Sequence, residues 1–220
     1  KQLLPLVKIA QVLAQKYDVV VTNPPYMGSK KMNAKLSEYL NKNYPDSKSD
    51  LFAVFIERCE EMSKKYGYRA MITQHGWMFM SSFEELRKKL LAEDIINMAH
   101  LGARAFEEIS GEVVQTTSFV IRKSHIADFK GEYCRLIEPT TQQGKEDMFL
   151  DGNNRYAADQ NNFSKMPGSQ FAYWVGDNII KRFGDQQSLF ETRAGITTGG
   201  NNYFLKNWHE VNSNHIYRKK

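Results

Sequence analysis

Asp18-Val19-Val20-Val21-Thr22-Asn23-Pro24-Pro25-Tyr26 organises the reading of the chain: an apolar run stops abruptly at Asn-Pro-Pro-Tyr. The three valines are β-branched and do not alternate with polar residues, which predicts a strand buried on both faces of a parallel sheet. Two consecutive prolines then forbid both continued strand pairing and a helix start. The backbone must therefore leave the sheet at its carboxyl edge, where open α/β sheets place their ligands.

On the amino side, Leu3, Leu4, Val7, Ile9, Ala10, Leu13 and Ala14 recur at helical spacing, with Pro5 acceptable in a first turn. On the carboxyl side, Gly28 and Ser29 read as loop, and Met32, Leu36, Tyr39 and Leu40 as an amphipathic helix. Ser49 and Asp50 offer N-cap chemistry for the next helix, striped by Leu51, Phe55, Cys59 and Met62 and expected to stop at Gly67. A second strand is expected over Tyr68 to Thr73. Ser82 and Glu85 have capping-box spacing, opening a helix that buries Phe83, Leu86, Leu90 and Leu91. Strands at Asp94 to Ala99 and Thr116 to Arg122 complete an alternation that predicts an α/β sheet. Glu132 to Ile137 is expected to add one more strand. Thr140 to Ser169 is polar and reads as a long excursion, and Phe171, Trp174, Val175, Ile179 and Phe183 as a helix opened by Pro167-Gly168.

Asn-Pro-Pro-Tyr has a specific chemical capacity. The Asn23 amide oxygen can accept one N–H of an exocyclic amino group and the Pro24 carbonyl the other, and proline offers no competing N–H. An adenine or cytosine amino nitrogen is a poor nucleophile because its lone pair is delocalised into the ring. Two acceptors draw that nitrogen toward sp³ geometry and aim the lone pair at an electrophile such as a methyl sulfonium. Tyr26 can stack on the base, a contact worth roughly 1–3 kcal/mol. Positioning and hydrogen bonding then suffice for catalysis, with no strong general base. The plainer alternative, a Pro-Pro turn with a surface tyrosine, does not account for the motif falling directly after a buried strand.

The rest of the composition narrows the class. With 220 residues and 41% hydrophobic content, the chain can bury a substantial core. Thirty Lys plus Arg against 25 Asp plus Glu give a net charge of +5, compatible with a polyanionic partner but weak evidence for one. Cys59 and Cys134 lack metal-ligand spacing, so neither a zinc site nor a disulfide framework is expected, and a reducing cytoplasm fits best. No apolar run reaches the ~18 residues of a membrane span. The chain opens without Met inside a helical pattern, which is expected of an internal fragment. His75 and the basic groups Lys30-Lys31, Arg87-Lys88-Lys89 and Arg218-Lys219-Lys220 read as loop and solvated-face residues, and Met78 and Met80 beside Trp77 as core.

Asp18 to Tyr26 resembles motif IV of the S-adenosylmethionine-dependent amino-methyltransferases, in particular the N6-adenine DNA methyltransferases. Ser49 to Arg58 is similar to motif V, Tyr68 to Thr73 to motif VI, and Val114 to Arg122 to motif VIII. Ser164 to Trp174, with Gly195 to Trp208, resembles the linker and recognition-domain entry of type IIG restriction-modification and PglX-like phage-exclusion methylases. The resemblance implies a partial Rossmann-like methyltransferase sheet, with residues 1–123 the carboxyl half of the catalytic domain, 124–187 a linker and 188–220 the start of a DNA target-recognition domain. It implies catalytic roles for Asn23, Pro24, Pro25 and Tyr26, cofactor contacts for Pro25, Asp50 and Phe55, and base stacking by Tyr26 and Phe106. Asn201, Asn202 and Tyr203 would face DNA. The implied cofactor is S-adenosyl-L-methionine, the implied partners double-stranded DNA and other restriction or phage-exclusion subunits, and no metal is implied. The glycine-rich cofactor loop has no counterpart before Asp18, and Gly195, Gly199 and Gly200 lack the strand-to-helix frame to replace it. The fragment alone is thus expected neither to bind the cofactor tightly nor to methylate. Enzymes that methylate a protein glutamine or an RNA guanine share Asn-Pro-Pro-Tyr, and a non-catalytic DNA-binding module is the alternative from another class; the 194 residues after Tyr26 (220 − 26) favour the DNA enzyme.

Overall fold

The computed structural model describes residues 3–106 and 114–184, all within the unit Lys1–Gly184. In chain order these form α1 (Leu3–Ala14), β1 (Tyr17–Thr22), α2 (Ala34–Asn43), α3 (Leu51–Met62), β2 (Ser63–Gln74), α4 (Glu84–Leu90), β3 (Asp94–Gly102), β4 (Thr116–Arg122), β5 (Lys130–Arg135), α5 (Gln142–Asp151), β6 (Arg155–Asp159), α6 (Asn161–Ser164) and α7 (Asp177–Gly184). The strands make one mixed sheet in the order β1-β2-β4-β3-β5-β6. β1 runs parallel to β2 and β3 to β5, while β4 is antiparallel to both β2 and β3. The α/β architecture expected from the sequence is therefore present.

The core lies against the middle of this sheet. Phe52, Ile56 and Cys59 of α3, Leu86 and Leu90 of α4, and Met71, Ile95, Met98, Phe119 and Ile121 of the strands share one buried cluster with Trp77, Phe163, Phe171 and Tyr173. Burying each large apolar side chain contributes roughly 1.5–3 kcal/mol. The inward face of α3 is thus carried by Phe52, Ile56 and Cys59, with Leu51 and Phe55 at its margin rather than at its centre. Trp77 and Met78 are fully buried, as expected, whereas Met80 is exposed.

β1 departs from expectation. Val20 packs on the core, but Val19 and Val21 are 56% and 72% exposed. The reason is position: among the described residues β1 is an edge strand paired only with β2, and nothing covers the face carrying those two valines. The apolar side chains of α1 are likewise exposed.

Five local readings are corrected. Gly67 does not end α3, because the helix stops at Met62, where the Ser63 hydroxyl donates to the Cys59 carbonyl at 2.7 Å. Gly67 sits instead in a bulge of β2, where a Cβ would lie 2.9 Å from the Asp18 carbonyl oxygen. The Ser82–Glu85 capping box does not form: a 3-10 turn at Ser81–Phe83 leads into α4, and its first residue has no side-chain cap. Arg87 is no solvated cation but fully buried, as described below. The excursion after Thr140 is ordered as α5, β6 and α6, with Thr141 accepting from the Gly144 N–H and Gly152 closing α5 in the left-handed region. Finally, Pro167–Ser169 is a single 3-10 turn, Phe171 to Tyr173 are buried outside any helix, and only Asp177–Gly184 is helical. Residues 188–220, including Asn201, Asn202 and Tyr203, lie outside the described residues. No helix among the described residues is long and apolar enough to cross a membrane.

Candidate active site

The parallel pairing of β1 with β2 fixes where Asn-Pro-Pro-Tyr emerges. Thr22 is in register with Met71, so Asn23 and the end of β2, Thr73 to His75, leave the sheet at one edge. β4 begins there too, since Gln74 pairs with Thr116, and β3 ends there, with Gly102 opposite Thr116. Phe106 follows β3 and is partly buried. The edge thus carries Asn23, His75 and the residues around Thr116, and Phe106 lies four residues past the end of β3.

Within the tetrapeptide, exposure alternates. Asn23 is exposed, and no hydrogen bond among the described residues engages its amide; Pro24 is buried and Pro25 exposed. An unengaged amide beside a buried proline leaves the Asn23 oxygen free to accept from a ligand. Tyr26 is half-buried. Its ring meets Phe52 edge-on at 6.0 Å, and its hydroxyl lies 3.5 Å from the Ile72 carbonyl, a long contact. Burial raises the Tyr26 pKa above its ordinary value, so the phenol stays neutral at physiological pH. Phe52 was not singled out from the sequence; its position on the inner face of α3, two residues after the Asp50 cap, was the available signal.

Asp50 pins the loop that follows the tetrapeptide. Its Oδ1 accepts from the Met27 N–H at 3.0 Å and caps α3 through the Phe52 N–H at 3.4 Å. Around it the Leu51 N–H donates to the Met27 carbonyl and the Ser29 N–H to the Ser49 carbonyl, both at 3.0 Å. That geometry is a structural anchor for Asp50. Phe55 lies one turn further along α3, partly buried against the core. The exposed ring of Pro25 and the half-buried ring of Phe55 are apolar surfaces suited to the adenine moiety of S-adenosyl-L-methionine, whereas Asp50 has one oxygen committed to the backbone.

His75 proved more connected than a loop histidine. Its Nδ1 lies 2.7 Å from Nε2 of His100, whose Nδ1 is 3.1 Å from the Tyr173 hydroxyl. Neither His100 nor Tyr173 was identified from the sequence. His100 is only 4% exposed; burial, reinforced by the fields of His75, Arg135 and Lys145, pushes its pKa down to about 3. Burial also lowers that of His75. Nearby, Arg87 donates to the carbonyls of Trp77 (2.8 Å), Met80 (2.7 Å) and Gly168 (2.7 Å), and the Phe171 N–H donates to Met78 O. The segment from Gly168 to Tyr173 is thereby tied to the loop that follows β2. No cluster of metal-ligating side chains occurs among the described residues.

Residues 5–106 match the family described as Eco57I restriction-modification methylase. The chain is similar to the adenine-specific methyltransferase PglX of Lacticaseibacillus casei (strain Zhang), at 47% identity over 216 residues, covering 94% of this chain and 18% of that protein. It is 45% identical over 217 residues to the adenine-specific methyltransferase BrxX of Escherichia coli O9:H4 (strain HS), covering 97% of this chain and again 18% of the relative. The chain thus spans about 18% of the length of these curated relatives. Among solved structures, the fold is like that in a cryoEM DrdV–DNA complex, with a TM-score of 0.56 at 15% identity over 79% of this chain and 20% of that one.

Proposed function

We propose, on the premise that the chain is a homologue of the adenine-specific methyltransferases PglX and BrxX with an Eco57I restriction-modification methylase region at residues 5–106, that its parent protein transfers a methyl group to the exocyclic amino group of a flipped adenine in duplex DNA. The observation that carries this reading is the free Asn23 amide beside buried Pro24, at the carboxyl edge where β1 ends.

The Asn23 oxygen and the Pro24 carbonyl accept the two amino hydrogens and direct the nitrogen lone pair outward. S-adenosyl-L-methionine, when bound, supplies the electrophilic methyl group; Pro25 and Phe55 line its adenine, while Asp50 acts by holding the Met27 turn in place. The base rests against Tyr26, whose orientation is set by Phe52, and Phe106 contributes a second aromatic surface. Extracting the base costs a few kcal/mol of stacking, which these aromatic contacts offset. After transfer the surplus proton leaves to solvent. The parent works on DNA in the cytoplasm, within a restriction or phage-exclusion system and alongside its other subunits, and residues 188–220 begin its recognition domain.

The test is Asn23→Ala in the intact parent protein. Methyl transfer should fall about 10²–10³-fold, the cost of one preorganised transition-state hydrogen bond, while DNA affinity changes less than about threefold. Equal losses of both would assign Asn23 to DNA binding alone.

A further inference from the structure

The half-buried His75 and the buried pair His100 and Tyr173 form a hydrogen-bonded chain ending at the same sheet edge as Asn23, and its direction can be deduced. The buried Tyr173 hydroxyl has one partner among the described residues, Nδ1 of His100 at 3.1 Å. If His100 donated from Nδ1, the Tyr173 hydrogen would be left buried without an acceptor, at a cost that folded proteins avoid. Tyr173 therefore donates to His100 Nδ1. A neutral imidazole carries one N–H, so the His100 proton is on Nε2 and is donated across 2.7 Å to His75 Nδ1. His75 must then carry its own proton on Nε2, an atom with no partner among the described residues.

We propose that Tyr173 and His100 act as positioning residues that lock His75 as an Nε2–H donor at the carboxyl edge, where it binds an acceptor atom of the DNA substrate. The donor complements the two acceptors of Asn23 and Pro24, and the ligand chemistry is a ring nitrogen of the flipped base or a phosphate oxygen of its backbone. The inference rests on the methyltransferase reading given above. It gives the segment around Tyr173 a role beyond packing. That segment is held to the loop after β2 by Arg87, by Phe171 N–H to Met78 O at 3.1 Å, and by Gln170 to Phe79 O at 3.2 Å. Tyr133 stacks on Tyr173 at 4.9 Å and fixes its ring. Charges facing the chain all oppose protonation of His100: Arg135 of β5, itself paired with Glu138, and Lys145 of α5, whose ammonium donates to Leu101 O and Leu136 O.

The experiment uses the intact parent protein, S-adenosyl-L-methionine and unmethylated genomic DNA. His75→Ala should lower kcat/KM for DNA about tenfold, the loss of one hydrogen bond to a buried acceptor, and His75→Gln, which keeps an N–H near the Nε2 position, should recover to within about threefold of the parent. Tyr173→Phe should give an intermediate loss and move the acid limb of the rate profile to higher pH, because protonating His100 Nδ1 no longer displaces a donor. Loss confined to the rate from bound DNA identifies a base contact; loss confined to affinity for any DNA identifies a phosphate contact. Unchanged kinetics in His75→Ala, a Gln variant as poor as Ala, or an unmoved profile in Tyr173→Phe overturns the proposal. Asn23→Ala, run in parallel, separates the outcomes: if it methylates normally, the methyltransferase reading fails irrespective of His75.

Discussion

Asn23 and Asp50 lie at the two ends of the connection from β1 to α3, which contains α2, and illustrate how differently single residues speak from sequence. Pro24 and Pro25 after Asn23 carry no N–H, and the Asn23 amide is exposed and unengaged among the described residues. Asp50 was open to two readings, cofactor contact or helix cap, and the structure shows the cap together with the Met27 anchor. Asp50→Asn keeps the accepting oxygen and should leave both thermal stability and the parent's KM for cofactor near their original values. Asp50→Ala should cost about 1 kcal/mol, read as a lowered denaturant midpoint, and slow methyl transfer by loosening the tetrapeptide loop. A large rise in cofactor KM for the Asn variant would instead give Asp50 a direct cofactor role. His100 carries a pH prediction. Its pKa falls from 6.5 in the unfolded chain to about 3 in the fold, so the unfolded state binds more protons between those values. The histidine's contribution is therefore intact above pH 6.5 and is lost as pH falls toward 3; stability measured against pH should decline less steeply through that window in His100→Gln.

At the scale of elements, periodicity located α1 to α4 and the first four strands because each is a local pattern. It failed where the deciding contact is distant in sequence. Three unalternating valines indicate strand, but whether both faces are covered depends on neighbours, and Val21 is 72% exposed on an edge strand. The polar stretch after Thr140 concealed α5 and β6 because its apolar content is low, although Thr141 and Gly152 are ordinary helix-end signals. Gly67 has the right identity for a helix stop, yet its requirement comes from Asp18 across the bulge. Gly67→Ala should therefore destabilise the fold by on the order of 1–2 kcal/mol and loosen β1, seen as faster amide exchange at Val20 and Thr22. An exchange pattern confined to the end of α3 would restore the helix-stop reading.

For the molecule as a whole, alternation predicts an α/β sheet and Glu132 to Ile137 a further strand, found as β5, whereas the order β1-β2-β4-β3-β5-β6 and the addition of β6 were not legible in the sequence. Nor could composition show that the segment from Gly168 to Tyr173 returns to the loop that follows β2; that depends on Arg87, which as part of Arg-Lys-Lys looked like a surface cation. Burial lowers the Arg87 pKa, and the side chain is satisfied by backbone carbonyls of Trp77, Met80 and Gly168. Arg87→Met keeps the bulk but strands those carbonyls, and should cost on the order of 3 kcal/mol in a denaturant titration. The same substitution should release the segment carrying Tyr173, so methyl transfer should fall along with stability.

All of these arrangements converge on one claim, that Asn23 and Pro24 present a pair of acceptors to an adenine amino group. Its most direct test is to digest DNA exposed to the intact parent protein and S-adenosyl-L-methionine and to quantify methylated nucleosides by mass spectrometry, with the Asn23→Ala variant alongside. The parent should yield N6-methyladenine, and the variant at least a hundredfold less at about equal DNA binding. N6-methyladenine at parental levels from Asn23→Ala, or no methylated adenine from the parent under saturating cofactor, would contradict it.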